Sequence, residues 1–326
     1  MTRYPHGLSS FGVPILPGAF GMPFTGQPWF VRPSTGSDNN SGKEPGRAFK
    51  TLSKAQTAAT ANNNDVVYLI AESNTAASTT DYQSATLTWA KDLVHLVGIG
   101  APSIVSQRSR IAQLSTATGV SPLVDVTADG CYIANISAFH GVADATSLID
   151  VRVTGTRNVF DNVHFAGIGD ATMSAAGACS LKLDGAAENV FRHCVIGVDT
   201  VNTDADGTNL LCDTAATRNL FEDCLFQLFI TATGASHVTI ADGTGIDRWL
   251  WFKRCLFASE SVNKTIDMAE VFVIPAGISQ GKIILQDCAA MDDGGAPVWT
   301  AGTEGIVWAN MGAPTASAAG GLMTNL

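Results

Sequence analysis

Six times between Ile133 and Ala290 a short phrase returns, with a large apolar residue three positions before a smaller apolar one. It reads Ile133-Ala-Asn-Ile136, Phe160-Asp-Asn-Val163, Phe191-Arg-His-Cys194, Phe221-Glu-Asp-Cys224, Phe252-Lys-Arg-Cys255 and Leu285-Gln-Asp-Cys288. The last members are 27, 31, 30, 31 and 33 residues apart, a near-constant period that marks a repeat architecture. Within each phrase the two central residues are mostly polar, and a further apolar residue follows two places on: Ala138, Phe165, Ile196, Phe226, Phe257 and Ala290. Spacing by two is the period of a strand, but spacing by three cannot keep Phe191 and Cys194 on one face of a straight strand. The chain must bend there with its polar pair outside. One such bend per turn describes the corner of a parallel β-helix.

Successive turns of such a coil stack at about 4.8 Å, so equivalent side chains pile into columns. One interior column is then Cys194, Cys224, Cys255 and Cys288, and another is Phe160, Phe191, Phe221 and Phe252. Asn158, Asn189 and Asn219 each precede a phenylalanine by two residues and suit an asparagine ladder, which Leu250 interrupts one turn later. Val, Ile, Thr, Phe and Asn dominate the repeat and Gly is abundant, which excludes repeats built from helix pairs. The length beyond a compact coil falls in Gly167 to Gly177, Asp199 to Gly207, Leu228 to Ser236 and Ala258 to Asp267, expected to be loops leaving one side.

The domain organisation expected is an extended arm over 1–33, an opening module with a capping helix and first strand over 34–71, the coil over 72–298, and a cap and tail over 299–326. The arm holds six of the twelve prolines, which exclude a regular helix. Its rings are too many for a solvated linker, so the arm is expected to dock through Tyr4, Phe11, Val13, Pro14, Ile15, Phe20, Phe24, Trp29 and Phe30. In the opening module Leu52, Ala55 and Ala59 share one face of a short helix fit to cover the open end of the coil.

Charged residues make up only 15% of the chain and the net charge is -10, so 19 scattered Lys and Arg cannot form a basic groove for nucleic acid. No stretch is long and apolar enough to span a membrane. The first 20 residues lack the apolar core of a signal peptide, which suggests synthesis in the cytoplasm. The seven cysteines follow the repeat and read as small interior hydrophobes rather than a disulfide framework.

Two stretches resemble known proteins. Gly36, Asp38, Gly42, Pro45, Phe49, Thr51, Leu52 and Ala55 resemble the opening module of pectate-lyase-like proteins, which implies an all-β, right-handed parallel β-helix. The preceding Tyr4-Pro-His-Gly7-Leu-Ser-Ser-Phe11-Gly-Val-Pro14 is similar to the start of β-helix virion proteins of tailed bacteriophages. That resemblance implies a homotrimer decorating or cementing the outer surface of a capsid, with the major capsid protein as partner.

Pectate-lyase-like proteins often cleave acidic polysaccharides, so catalysis has to be weighed. Hydrolysis needs two carboxylates about 5 to 10 Å apart. Here Asp161 and Glu222 alternate with Arg192 and Lys253 along one corner, which reads as a self-neutralising ladder with Asp223 beside it. The densest acidic group, with Asn202, Asp204 and Asp206, lacks the bidentate Glu and flanking helices of a calcium loop. His95, His140, His164, His193 and His237 sit at different places in their turns. No catalytic set, metal site or cofactor is expected. The alternative is a tail-associated protein that binds or degrades a host surface glycan through the loops.

Overall fold

A computed structural model of the protein describes residues 9–10, 13–14, 24–72, 80–101, 103–204, 206–261, 264, 266–275, 280–292, 299 and 305–310. Three parallel sheets run its length. The first has ten strands, from Pro28–Val31 and Asp65–Ile70 at one end to Lys282–Gln286 and Ile306–Ala309 at the other. The second begins at Thr80–Gln83 and ends at Ala289–Asp292; the third begins at Leu87–Trp89 and ends at Phe272–Val273. Each strand pairs with its equivalents one turn before and after, as in Phe160 to Phe191 to Phe221 to Phe252. The chain is therefore a parallel β-helix.

The bend inside the recurring phrase has a specific backbone cause. Its third member is left-handed in all six turns: Asn135 at φ 55°, Asn162 at 53°, His193 at 53°, Asp223 at 54°, Arg254 at 52° and Asp287 at 52°. Asn, Asp and His adopt that region more readily than most residues, whereas Arg does so at a steric cost. Each bent residue still donates its backbone N–H to the next turn, as from Asn162 to the Arg192 carbonyl at 3.0 Å and from Asp223 to the Lys253 carbonyl at 3.0 Å. The corner thus turns the chain without orphaning a backbone donor.

Inside, the columns superimpose as the repeat requires. Phe160 and Phe191 stack with centroids 4.6 Å apart, Phe191 and Phe221 at 4.5 Å, and Phe221 and Phe252 at 5.1 Å. The Cys194 thiol lies 3.5 Å from the Phe160 carbonyl, and those of Cys224, Cys255 and Cys288 lie 3.4 Å from the carbonyls of Phe191, Phe221 and Phe252. All seven cysteines are buried free thiols. The asparagine ladder is continuous: Asn158 Oδ1 accepts from Cys131 N–H at 2.7 Å, Asn189 Oδ1 from Asn158 N–H at 2.8 Å, and Asn219 Oδ1 from Asn189 N–H at 3.0 Å.

The α-helix Leu52–Ala58 lies over the open end, with Leu52, Ala55 and the C-capping Ala59 turned into the core. The Thr51 side chain caps it by accepting from Lys54 N–H at 3.2 Å, and Asp81 accepts from Leu52 N–H at 2.8 Å. Trp299 packs at the opposite end against Phe257 and Phe272.

Two expected boundaries shift. The coil starts at Pro28 rather than beyond residue 33, because Trp29 and Val31 alternate inward and the strand pairs in parallel with Asp65–Ile70. It also continues past residue 298 into Ile306–Ala309. Three expected loops are partly strand: Asn202–Thr203 pairs at the edge of the second sheet, and Leu225–Ile230 and Leu256–Ser261 prolong it, since Phe226, Leu228 and Ile230 keep the period of two and all turn inward.

Candidate functional site

The corner between the first and second sheets carries the acids that catalysis would need. Asp161 is held from three sides: Tyr132 Oη–H donates to Oδ2 at 2.9 Å, Arg192 Nη2 reaches the same oxygen at 2.9 Å, and His193 Nδ1 lies 3.0 Å from Oδ1. Burial alone would raise its pKa, but these partners together hold the carboxyl below its ordinary value. One turn beyond Arg192, Glu222 meets Lys253 Nζ at 2.8 Å and Arg254 Nη2 at 2.9 Å. Asp223 receives a two-pronged bond from Arg254, Nε to Oδ1 and Nη2 to Oδ2, both at 2.7 Å. These basic partners lower both carboxyls as well. A general acid needs a raised pKa, and all three groups are pushed the other way. What this corner can do chemically is tie one turn to the next.

A second charged column stands on the other side of the first sheet, at its corner with the third. Arg157, Glu188 and Arg218 are left-handed bend residues on successive turns, and Glu188 bridges Arg157 and Arg218 at 2.7 Å each. Sequence reasoning missed this column because its members fall outside the recurring phrase. It missed another, too. Asp150, Ser180, Asn209 and His237 hold equivalent positions on four successive turns of the third sheet and are all buried. Asn209 donates its amide to His237 Nδ1 at 3.0 Å and to the Gln227 carbonyl at 3.1 Å. The Asp150 oxygens and Ser180 Oγ have no partner among the described residues, and burial pushes the Asp150 carboxyl well up.

Asp81 is the described acid with a raised pKa that borders a surface cleft, pushed up to about 6 by burial and in smaller part by Asp38. Pro33, Ser34, Lys50, Thr51, Thr80 and Tyr82 line that cleft with it. Asp81 is nonetheless committed to the N–H of Leu52, which makes it the clasp between the capping helix and the second sheet.

The expected arm residues divide. Phe24 is buried on the outer face of the first sheet, 4.9 Å from the His95 ring and 6.3 Å from Tyr132. Trp29 stacks on Phe49 at 5.8 Å and donates Nε1–H to Asp65 Oδ2 at 3.0 Å, and Phe30 stacks on Tyr68 at 5.5 Å. All three rings are engaged with this chain's own coil: the strand Pro28–Val31 carries Trp29 inward and Phe30 outward, and Phe24, just before it, lies over the outer face. Val13 and Pro14 pair with Ser9 and Ser10. Tyr4, Phe11, Ile15 and Phe20 lie outside the described residues. In the acidic loop, Asp204 accepts from the Thr231 hydroxyl, and Asn202 pairs with Phe229 in the second sheet. Among the described residues no three His, Cys, Asp or Glu are grouped as metal ligands.

Neither a protein-family profile nor a curated protein sequence matches the chain. Solved structures do resemble it. Pectate lyase Pel9A is 13% identical with a TM-score of 0.56, over 81% of this chain and 63% of the lyase, so the chain spans less than two thirds of that protein. The pectin methylesterase from Aspergillus niger is 12% identical with a TM-score of 0.50, over 87% of this chain and 83% of the esterase. ORF18 of Geobacillus virus E2 is 13% identical with a TM-score of 0.48, over 81% of this chain and 53% of that protein. Likeness at such identity is likeness of fold. The chain accordingly shares the parallel β-helix fold of the lyase and the esterase.

Proposed function

We propose that this chain is a non-enzymatic virion protein, a trimeric β-helix that decorates or cements the outer surface of a tailed-phage head. The observation that carries the non-enzymatic part is the state of the corner carboxylates: Asp161, Glu222 and Asp223 are each ion-paired to the following turn and held below their ordinary pKa. The virion part rests on the resemblance of Tyr4 to Pro14 to the opening of phage β-helix proteins. The major capsid protein is the partner, and the segment before Phe24 is the anchor, since Phe24, Trp29 and Phe30 are already engaged with the coil.

That engagement sets where to cut. A chain starting at Phe24 keeps the first strand and its cover. It is expected to fold and assemble as the full chain does and to lose co-sedimentation with phage heads. Undiminished binding by the shortened chain would refute the anchoring role.

A tail-associated glycan-binding role is the second reading, and one feature favours it. Tyr82 and Phe139 are 46% and 37% exposed on the outer face of the second sheet, one on each side of Ala112. That puts them two strands apart, about 9.6 Å, a spacing on which sugar rings can stack. Retention on immobilised host polysaccharide, lost on Tyr82→Ala, would decide for this reading.

A further inference from the structure

We infer that the outer face of the ten-stranded first sheet is where copies of this chain pack against one another, with their coils parallel and in register around a common axis. Alternation along each strand turns Val190, Leu220, Trp251, Ile284 and Val307 outward, and pairing aligns them in one column over five turns. The first four are half-buried and Val307 is 40% exposed. Trp249 packs edge-on to Trp251 with centroids 6.1 Å apart, giving the stripe the aromatic anchor that protein interfaces favour. The same face is already closed over its earlier turns, where Phe24 covers Val66, Val97, Tyr132 and Ala134. Among the described residues, the stripe continues that cluster without a ring laid over it.

What identifies the occupant as a second copy is the charge on the two borders of the face. One border carries Arg157, Glu188, Arg218 and Arg248; the other carries Asp161, Arg192, Glu222 and Lys253. In a ring of parallel coils the first border of each copy meets the second border of its neighbour at equal height. The facing pairs are then Arg157 with Asp161, Glu188 with Arg192, and Arg218 with Glu222, opposite in sign at three consecutive levels. At the fourth level Arg248 faces Lys253, but Arg248 is already joined to Asp247 at 3.5 Å. Sliding the copies by one turn would set Glu188 against Asp161 and Arg218 against Arg192, so the pattern selects the register as well as the partner. The ladders that tie turns together within one chain become, between chains, a checkerboard.

The count of three rests on the proposed virion role; the face and its direction do not. Arg218 and Glu222 are four residues apart on one strand, about 13 Å, too far for a disulfide within a chain, and the native thiols are all buried. The double variant Arg218→Cys/Glu222→Cys, oxidised with copper phenanthroline, should give closed covalent rings on non-reducing gels, while either single variant gives none. Light scattering of the wild-type chain should report the same ring size. Leu220→Asp should drop the mass to one chain while circular dichroism and thermal melting show the coil intact. A monomeric wild type, cross-linking by one single variant alone, or an assembly indifferent to Leu220→Asp would overturn the inference. A ring of two would support the face and refute the trimer of the virion role, whereas intact rings that fail to bind heads would count against that role alone.

Discussion

Phe191 shows how the interior distributes its stability. Its ring lies between those of Phe160 and Phe221 at 4.6 and 4.5 Å, and its carbonyl faces the Cys224 thiol. Truncation to Ala empties a site walled by two other turns, which cannot collapse without shifting their own registers. Phe191→Ala is expected to cost about 3 to 5 kcal/mol, read as a lower denaturant midpoint. Asn189 acts through its backbone neighbour: Asn189→Ala leaves the buried Asn158 N–H without an acceptor, at a cost of about 1 to 3 kcal/mol. A loss well below 1 kcal/mol would mean that the asparagine ladder is ornamental.

The capping helix and the charged corners are the elements on which environment acts. Asp81 clasps the helix with a carboxyl raised to about 6 by burial, so the folded state binds its proton more tightly than the unfolded chain does. Its contribution is complete below the unfolded value and is lost as pH rises through 6. Asp81→Asn should therefore leave the melting temperature unchanged near pH 4 and raise it at pH 7 to 8, by on the order of 2 kcal/mol in stability. An equal shift at both pH values would remove titration as the cause. The corner ladders are half-exposed ion pairs and contribute little per pair to folding; their value lies in fixing which turn sits beside which.

Taken as a whole, the molecule should be acid-labile. His95 Nδ1 accepts from Tyr132 N–H at 2.9 Å and His237 Nδ1 accepts from the Asn209 amide, so neither bond survives protonation. Burial lowers these imidazoles to about 4 and about 3. A group depressed in this way supplies stability above its unfolded value of about 6.5 that drains away as pH falls toward the folded value. Between pH 6.5 and 4 the histidines and Asp81 therefore oppose each other. A thermal stability profile should fall across that window in the wild-type chain and fall more steeply in Asp81→Asn. A flat profile in both would mean that His95 and His237 do not accept through Nδ1.

The amino-acid sequence by itself determined the coil, its period, the thiol, benzyl and amide columns and the bend between them. Those features recur every turn, and stacking at strand spacing converts recurrence directly into contact. It also made the ladder of Asp161, Arg192, Glu222 and Lys253 legible, because alternating signs at equivalent positions admit few other arrangements. Only the tertiary structure decided that Phe24, Trp29 and Phe30 engage this chain rather than a partner, since a ring's destination depends on which surface its strand reaches. The column of Arg157, Glu188 and Arg218 and the buried file of Asp150, Ser180, Asn209 and His237 were likewise decided there. Their alignment depends on loop lengths between corners, a sum over the whole turn that no local pattern contains.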